Sequence, residues 1–162
     1  MAPFADLFQR YQATVRSIIY QIAGAYELDD LTQEAFIRIW KARSELREPT
    51  KIAGWVYRVA TNTALDALRA NKRRGVSTEI PENLTHPAQP PDQQLANRQL
   101  VLMALQSLTA EHRVVLVLML LHERTLEEVS EILDTPIGTV KSRLHYGREA
   151  VRQFLLRHGV EV

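Results

Sequence analysis

Apolar side chains recur at helical spacing along most of the chain. Phe4, Leu7, Phe8, Tyr11, Val15, Ile18, Ile19 and Ile22 form one stripe, which predicts an amphipathic helix ending near Gly24. A second stripe, Leu31, Ala35, Phe36, Ile39 and Trp40, and a third, Ile52, Trp55, Val56, Val59, Ala60, Thr63, Ala64, Ala67 and Leu68, supply faces for it to pack on. The periodicity stops after Gly75, where Pro81, Pro87, Pro90 and Pro91 stand among polar residues in a composition that suits an extended tether. Helical spacing resumes near Asp92 with Leu95, Leu100, Leu102, Met103 and Leu105, and Val114 to Leu121 reads as an almost wholly buried helix. Thr125-Leu-Glu-Glu128 has the form of a capping box that opens a short helix to Leu133. Thr135 is then the expected N-cap, and Pro136 the first residue, of a last helix to about Leu156. The expected fold is all-α, with two small helical domains, residues 1–75 and 98–162, joined by a flexible Pro-rich linker over 76–97.

Charge sharpens that division. The chain of 162 residues has a net charge of +1, which by itself does not suit a strong nucleic-acid binder. Its distribution is uneven: residues 1–75 carry twelve basic and eight acidic side chains, a net +4. Residues 76–97 hold only Glu79, Glu82 and Asp92, and residues 98–162 balance at eight of each sign. The chain has no cysteine, which excludes disulfides, thiolate nucleophiles and cysteine-held zinc. The start has no basic region followed by an apolar core, and the longest apolar run, Val114 to Leu121, is far short of the ~20 residues that span a bilayer. A cytoplasmic location is expected.

Chemistry concentrates in few places. Thr125 to Leu133, a tight break at Asp134-Thr135, and the helix from Pro136 have the layout of a helix-turn-helix. On the second helix Ile137, Val140, Leu144 and Val151 form the inward stripe, leaving Thr139, Lys141, Ser142, Arg143, His145, Tyr146 and Arg148 as an edge of hydrogen-bonding groups. The same pattern also fits a helical hairpin with a solvated basic face. Asp29, Asp30 and Glu34 cluster at the start of the second helix, where the macrodipole alone favours acid. Arg69, Lys72, Arg73 and Arg74 gather at the end of the third, as a phosphate-binding run or a solvated helix end. Trp40 and Trp55 are read mainly as packing. The five histidines show no metal-ligand spacing and the carboxylates no paired pocket, so the chain is not expected to be an enzyme or to hold a metal or cofactor.

Three of these stretches, in order, resemble bacterial RNA polymerase sigma factors of the compact extracytoplasmic-function (ECF) kind. Glu27-Leu-Asp-Asp-Leu-Thr-Gln-Glu-Ala-Phe-Ile-Arg-Ile-Trp40 is similar to the segment that docks on the polymerase clamp. Trp55-Val-Tyr-Arg-Val-Ala-Thr-Asn-Thr-Ala-Leu-Asp-Ala-Leu-Arg69 is similar to the helix that reads the minus-ten promoter element. Thr125 to Arg148, with Gly138-Thr-Val-Lys-Ser-Arg-Leu144 at its centre, resembles the helix-turn-helix that reads the minus-thirty-five element.

The resemblance implies a sigma factor that binds core RNA polymerase and promoter DNA and is held in check by an anti-sigma factor. It places Asp30, Gln33, Glu34, Ile37 and Lys41 against the polymerase. Lys51, Arg58, Asn62, Arg69, Lys72, Arg73 and Arg74 fall on minus-ten DNA, where Asn62 and the loop of about residues 45–52 would capture a flipped base. Thr139, Lys141, Ser142, Arg143, His145, Tyr146 and Arg148 fall on minus-thirty-five DNA. The chain departs from many relatives, which read Ser-Arg-Leu-x-Arg-Ala-Arg where it has Ser142-Arg-Leu-His-Tyr-Gly-Arg148. Tyr146 loses a cation, and Gly147 is expected to weaken the helix by about 1 kcal/mol. A stand-alone dimeric helix-turn-helix regulator would account for residues 98–162 but not for the acidic and basic division of residues 1–75. An interaction adaptor would leave the edge from Lys141 to Arg148 without a purpose.

Overall fold

A computed structural model of the chain describes residues 4–46, 48–75 and 93–162. Seven α-helices account for most of them: α1 (Phe4–Ala23), α2 (Leu28–Ala42), α3 (Ile52–Arg73), α4 (Gln93–Gln106), α5 (Ala110–Leu116), α6 (Leu126–Leu133) and α7 (Ile137–Arg157). The Pro-rich tether with Glu79, Glu82 and Asp92, and Arg47 of the loop before α3, lie outside the described residues. Helix α4 already begins at Gln93, so the last five residues of the stretch read as linker are helical.

Helices α1, α2 and α3 pack as a bundle because each carries one continuous apolar stripe. Val15, Ile18, Ile19 and Ile22 of α1 are fully buried and meet Ala35, Phe36 and Ile39 of α2 and Val56, Ala60 and Ala64 of α3. Gly24 ends α1 at φ +85°, a conformation that costs glycine little. Trp55 is partly buried against this core, as expected. Trp40 is 45% exposed, yet Phe4 packs against it edge-on at 4.9 Å and the Arg43 guanidinium lies over its ring. It roofs the core and is not part of it.

The second module is built on α5. It packs chiefly on α7, and its buried residues Val114, Val115 and Leu116 share one core with Val129 and Ile132 of α6 and Val140 of α7. The apolar run is not one regular helix: after Leu116 the backbone widens into a π-turn over Val117–Leu121, with the His122 N–H donating to the Val117 carbonyl at 3.1 Å. The extra residue rotates Leu120 and Leu121 outward, to 45% and 42% exposure, so the expected buried helix ends short of both.

Helix α7 buries Val140, Gly147 and Phe154, with Leu144 and Val151 partly covered, whereas Ile137 is exposed. Gly147 is on the inward stripe, and a Cβ there would overlap Leu116 Cδ1 and sit 3.5 Å from His112 Cβ. The glycine therefore permits α7 to approach α5, a role the expectation of a weakened helix omitted. Gly147→Ala is expected to cost about 1–2 kcal/mol in urea denaturation despite its better helix propensity, because overpacking outweighs that gain. Adding Leu116→Val should recover most of the loss. Unchanged stability of the single variant would show that Leu116 moves aside freely.

The two modules are in contact. Helix α3 packs against α5 and α6, and α1 against α4, α5 and the π-turn, so the buried residues of both halves join in one cluster.

Candidate nucleic-acid interface

Helices α6 and α7 meet in a turn closed by backbone and side-chain hydrogen bonds. Asp134 adopts the left-handed conformation at φ +48°; its N–H donates to the Glu131 carbonyl at 3.3 Å, and Thr135 N–H donates to the Ser130 carbonyl at 3.0 Å. These two bonds make a Schellman closure with aspartate where glycine is usual. The Ser130 hydroxyl returns a bond to the Thr135 carbonyl at 2.6 Å. Thr135 does not serve as the N-cap expected of it. Its hydroxyl donates to the Leu133 carbonyl at 3.0 Å, and α7 starts at Ile137 with Pro136 in the cap position. The capping box forms by half: Thr125 Oγ1 accepts from Glu128 N–H at 3.2 Å, while the Glu128 carboxylate pairs with Arg124 at 3.2 Å.

This turn presents α7 with Lys141, Ser142, His145 and Arg148 exposed at three- and four-residue spacing, hence on one face. Tyr146 is 60% exposed beside them, its ring edge-on to His145 at 5.2 Å. Arg143 leans away, 3.7 Å from Glu111 of α5, and Thr139 is half-buried. The exposed face offers two cations, a hydroxyl, an imidazole and a phenol, a set that can bind phosphates and base edges.

The first module divides its charge as the sequence does. On α2, Asp30, Gln33, Ile37 and Lys41 are exposed, with apolar Ile37 at 52%. Glu34 is drawn to Arg38 at 2.6 Å, and Arg38 also reaches Asp66 of α3 at 3.3 Å; Asp29 pairs with Arg16 of α1. On α3, Asn62 is exposed and Arg69 lies 3.7 Å from Asp66; Lys51, in the turn just before α3, lies 3.4 Å from Glu48. Lys72, Arg73 and Arg74 are exposed at the helix end and have no ion pair among the described residues. Arg58 is engaged elsewhere: its guanidinium donates to the Glu131 carbonyl at the end of α6.

Two features went unread in the sequence. Arg113 is 5% exposed, and no carboxylate pairs with it among the described residues. Its guanidinium donates instead to the carbonyls of Leu105 at 2.8 Å, Gln106 at 3.1 Å, Leu108 at 2.9 Å and Ile22 at 2.6 Å. Burial lowers its pKa. The available signal was a cation in helical phase with Leu116 and Val117. The other feature is His122, whose ring nitrogen is 2.7 Å from Gln21 Oε1 and whose ring is edge-on to Tyr57 at 5.8 Å. Nothing in a lone histidine after an apolar run marked that contact.

A helix-turn-helix with an open basic face, behind a bundle with acid on one helix and cations at the end of the next, defines an all-helical DNA-binding regulatory protein. Family models narrow this further: Sigma-70 region 2 matches residues 7–74 and Sigma-70 region 4 matches residues 104–153. The chain is 33% identical to the ECF RNA polymerase sigma factor SigW of Bacillus subtilis, over 94% of its own length and 88% of that protein. It is also 33% identical to the ECF RNA polymerase sigma-E factor of Escherichia coli, over 91% and 84%. The chain belongs to the ECF sigma factors. Its fold is shared by the sigma factor RpoE of Bartonella quintana, solved with the anti-sigma factor NepR, at a TM-score of 0.75 and 20% identity over 94% of this chain and 96% of that one. CnrH, solved with the cytosolic domain of CnrY, gives 0.70 at 18% identity over 94% and 86%.

Proposed function

We propose that this chain binds core RNA polymerase and directs it to promoters, acting by recognition and not as an enzyme. The observation that carries the reading is the ordered match to regions 2 and 4 over two modules that each present a charged surface. Residues 1–75 serve as the polymerase-binding and minus-ten module, with Asp30, Gln33, Glu34, Ile37 and Lys41 against polymerase. Asn62, Lys51, Arg69, Lys72, Arg73 and Arg74 serve the melted strand. Residues 98–162 read the minus-thirty-five element through Lys141, Ser142, His145, Tyr146 and Arg148, with Thr139 and Arg143 supporting them. Arg58 joins the minus-ten set only once it leaves the Glu131 carbonyl. An anti-sigma factor is the expected partner, since a structural relative was solved with one. The action belongs in the cytoplasm, and no helix among the described residues is long and apolar enough to cross a membrane.

The test is co-purification of the tagged chain with core polymerase, followed by run-off transcription on sheared host DNA. Transcripts that start at defined sites only when the chain is added support the reading. Failure both to bind polymerase and to initiate would replace it with the dimeric helix-turn-helix regulator.

A further inference from the structure

The contact between the modules is made of specific polar groups and not of apolar surface alone. The imidazole of His122, carried out of the π-turn, meets Gln21 of α1 and Tyr57 of α3. Arg124 lies over the Tyr57 ring at 4.8 Å, donates to the His122 carbonyl at 2.9 Å and pairs with Glu128 of α6. Arg58 of α3 caps the α6 terminus at Glu131, and Arg113 crosses to the Ile22 carbonyl of α1. Every one of these bonds except the Arg124 pair and carbonyl bond joins residues on opposite sides of the tether.

We propose that these groups form a latch that holds the two modules closed, with His122 as its acid-sensitive member, and that opening it frees Arg58 for nucleic-acid phosphate. The last clause rests on the proposed sigma-factor reading; the latch does not.

The charge balance at His122 gives the direction. It is faced by uncharged Gln21 from α1, by Tyr57 from α3 with Arg58 next to it, by Arg124 from the loop and by Glu128 from α6, with exposed Glu123 adjacent in the chain. Glu128 is turned to Arg124, so no carboxylate is placed to stabilise an imidazolium. Burial, and then the Arg124 charge, hold the imidazole pKa below its usual 6.5. A closed state that lowers the pKa binds fewer protons than an open one. The stabilisation from neutral His122 is therefore present in full above the exposed-histidine value and is lost as pH falls below it. Over that interval the closing equilibrium weakens by up to about tenfold per pH unit. The Arg113 and Arg58 bonds run to carbonyls, which do not titrate in this range, so the response is assigned to His122.

The cysteine-free chain makes the test direct. Spin labels on Gln9→Cys in α1 and Gln153→Cys in α7, both exposed, report the separation of the modules in the full chain by pulsed electron resonance. A single narrow distance at about pH 8 that broadens toward longer values at about pH 5.5, with helicity by circular dichroism unchanged, is the expected result. His122→Gln, which retains a side-chain amide for Gln21 but gains no proton, is expected to abolish the pH response. An unchanged distance in the parent, a retained response in His122→Gln, or broadening that accompanies loss of helicity overturns the latch. None of these readouts involves polymerase, so a negative run-off transcription assay and a negative distance measurement remain separate results.

Discussion

Replacing Arg113 with methionine is expected to lower the unfolding free energy by about 3–5 kcal/mol, read as a fall in the urea midpoint at unchanged slope. The size follows from what the guanidinium does. Four carbonyls at the ends of α4 and α1 accept from it in a buried setting. A methionine of similar volume fills the space but takes the guanidinium from the carbonyls of Ile22, Gln106 and Leu108, while the Leu105 carbonyl keeps the Leu108 N–H at 3.1 Å; each buried group left unsatisfied costs about 1–3 kcal/mol. Arg113→Lys is expected to recover less than half of the loss. Its ammonium is a point donor on a flexible stem and cannot present a planar fork to acceptors in several directions. A methionine variant within about 1 kcal/mol of the parent would mean that water takes over the carbonyls and that the arginine is dispensable.

Asp30→Arg is expected to reduce affinity for core polymerase by about a hundredfold or more, since juxtaposed like charges at an interface cost several kcal/mol. The substitution is informative because Asp30 is exposed and makes no ion pair among the described residues, whereas neighbouring Asp29 and Glu34 are tied to Arg16 and Arg38. Reversing either of those would disturb the bundle as well as its surface. The cost to helix α2 of removing an acid from its first turn is only about 0.3–1 kcal/mol, so the fold survives. The pair Lys141→Ala and Arg148→Ala should behave oppositely: polymerase binding stays, promoter binding weakens, and the slope of log affinity against log salt falls by about two units. Normal assembly by Asp30→Arg, or an unaltered salt slope in the double variant, would remove the corresponding surface from the proposed function.

The elements were legible wherever one apolar stripe repeats without interruption. The stripes of α1, α2 and α3 and the paired α6 and α7 needed only periodicity and turn chemistry, because each helix buries the side it shows. The exposed edge of α7 was legible for the same reason. What was not legible depends on groups that periodicity does not weigh. Thr135 looks like a cap from its neighbours, but the Schellman turn places its hydroxyl on Leu133. Gly147 looks like a defect until Leu116 is seen above it, and Arg143 looks outward until Glu111 draws it back. Arg58 reads as a surface cation and Arg113 draws no notice, although each bonds a carbonyl more than seventy positions away in sequence. Backbone acceptors carry no side-chain signature, so a partner of this kind leaves no trace in the string of letters.

The π-turn over Val117–Leu121 has a consequence for how such a chain tolerates change. A regular helix would lock the stripe that α5 shows to α7 and the placement of everything after it into one angular phase, so that each added or deleted residue would swing the downstream part by about 100°. One surplus residue stored as a wider turn of backbone resets that phase once, which leaves Leu120 and Leu121 facing outward. The stretch after it can then keep its hold on α7 through α6 and still deliver His122 to α1, as an offset joint carries one shaft past another.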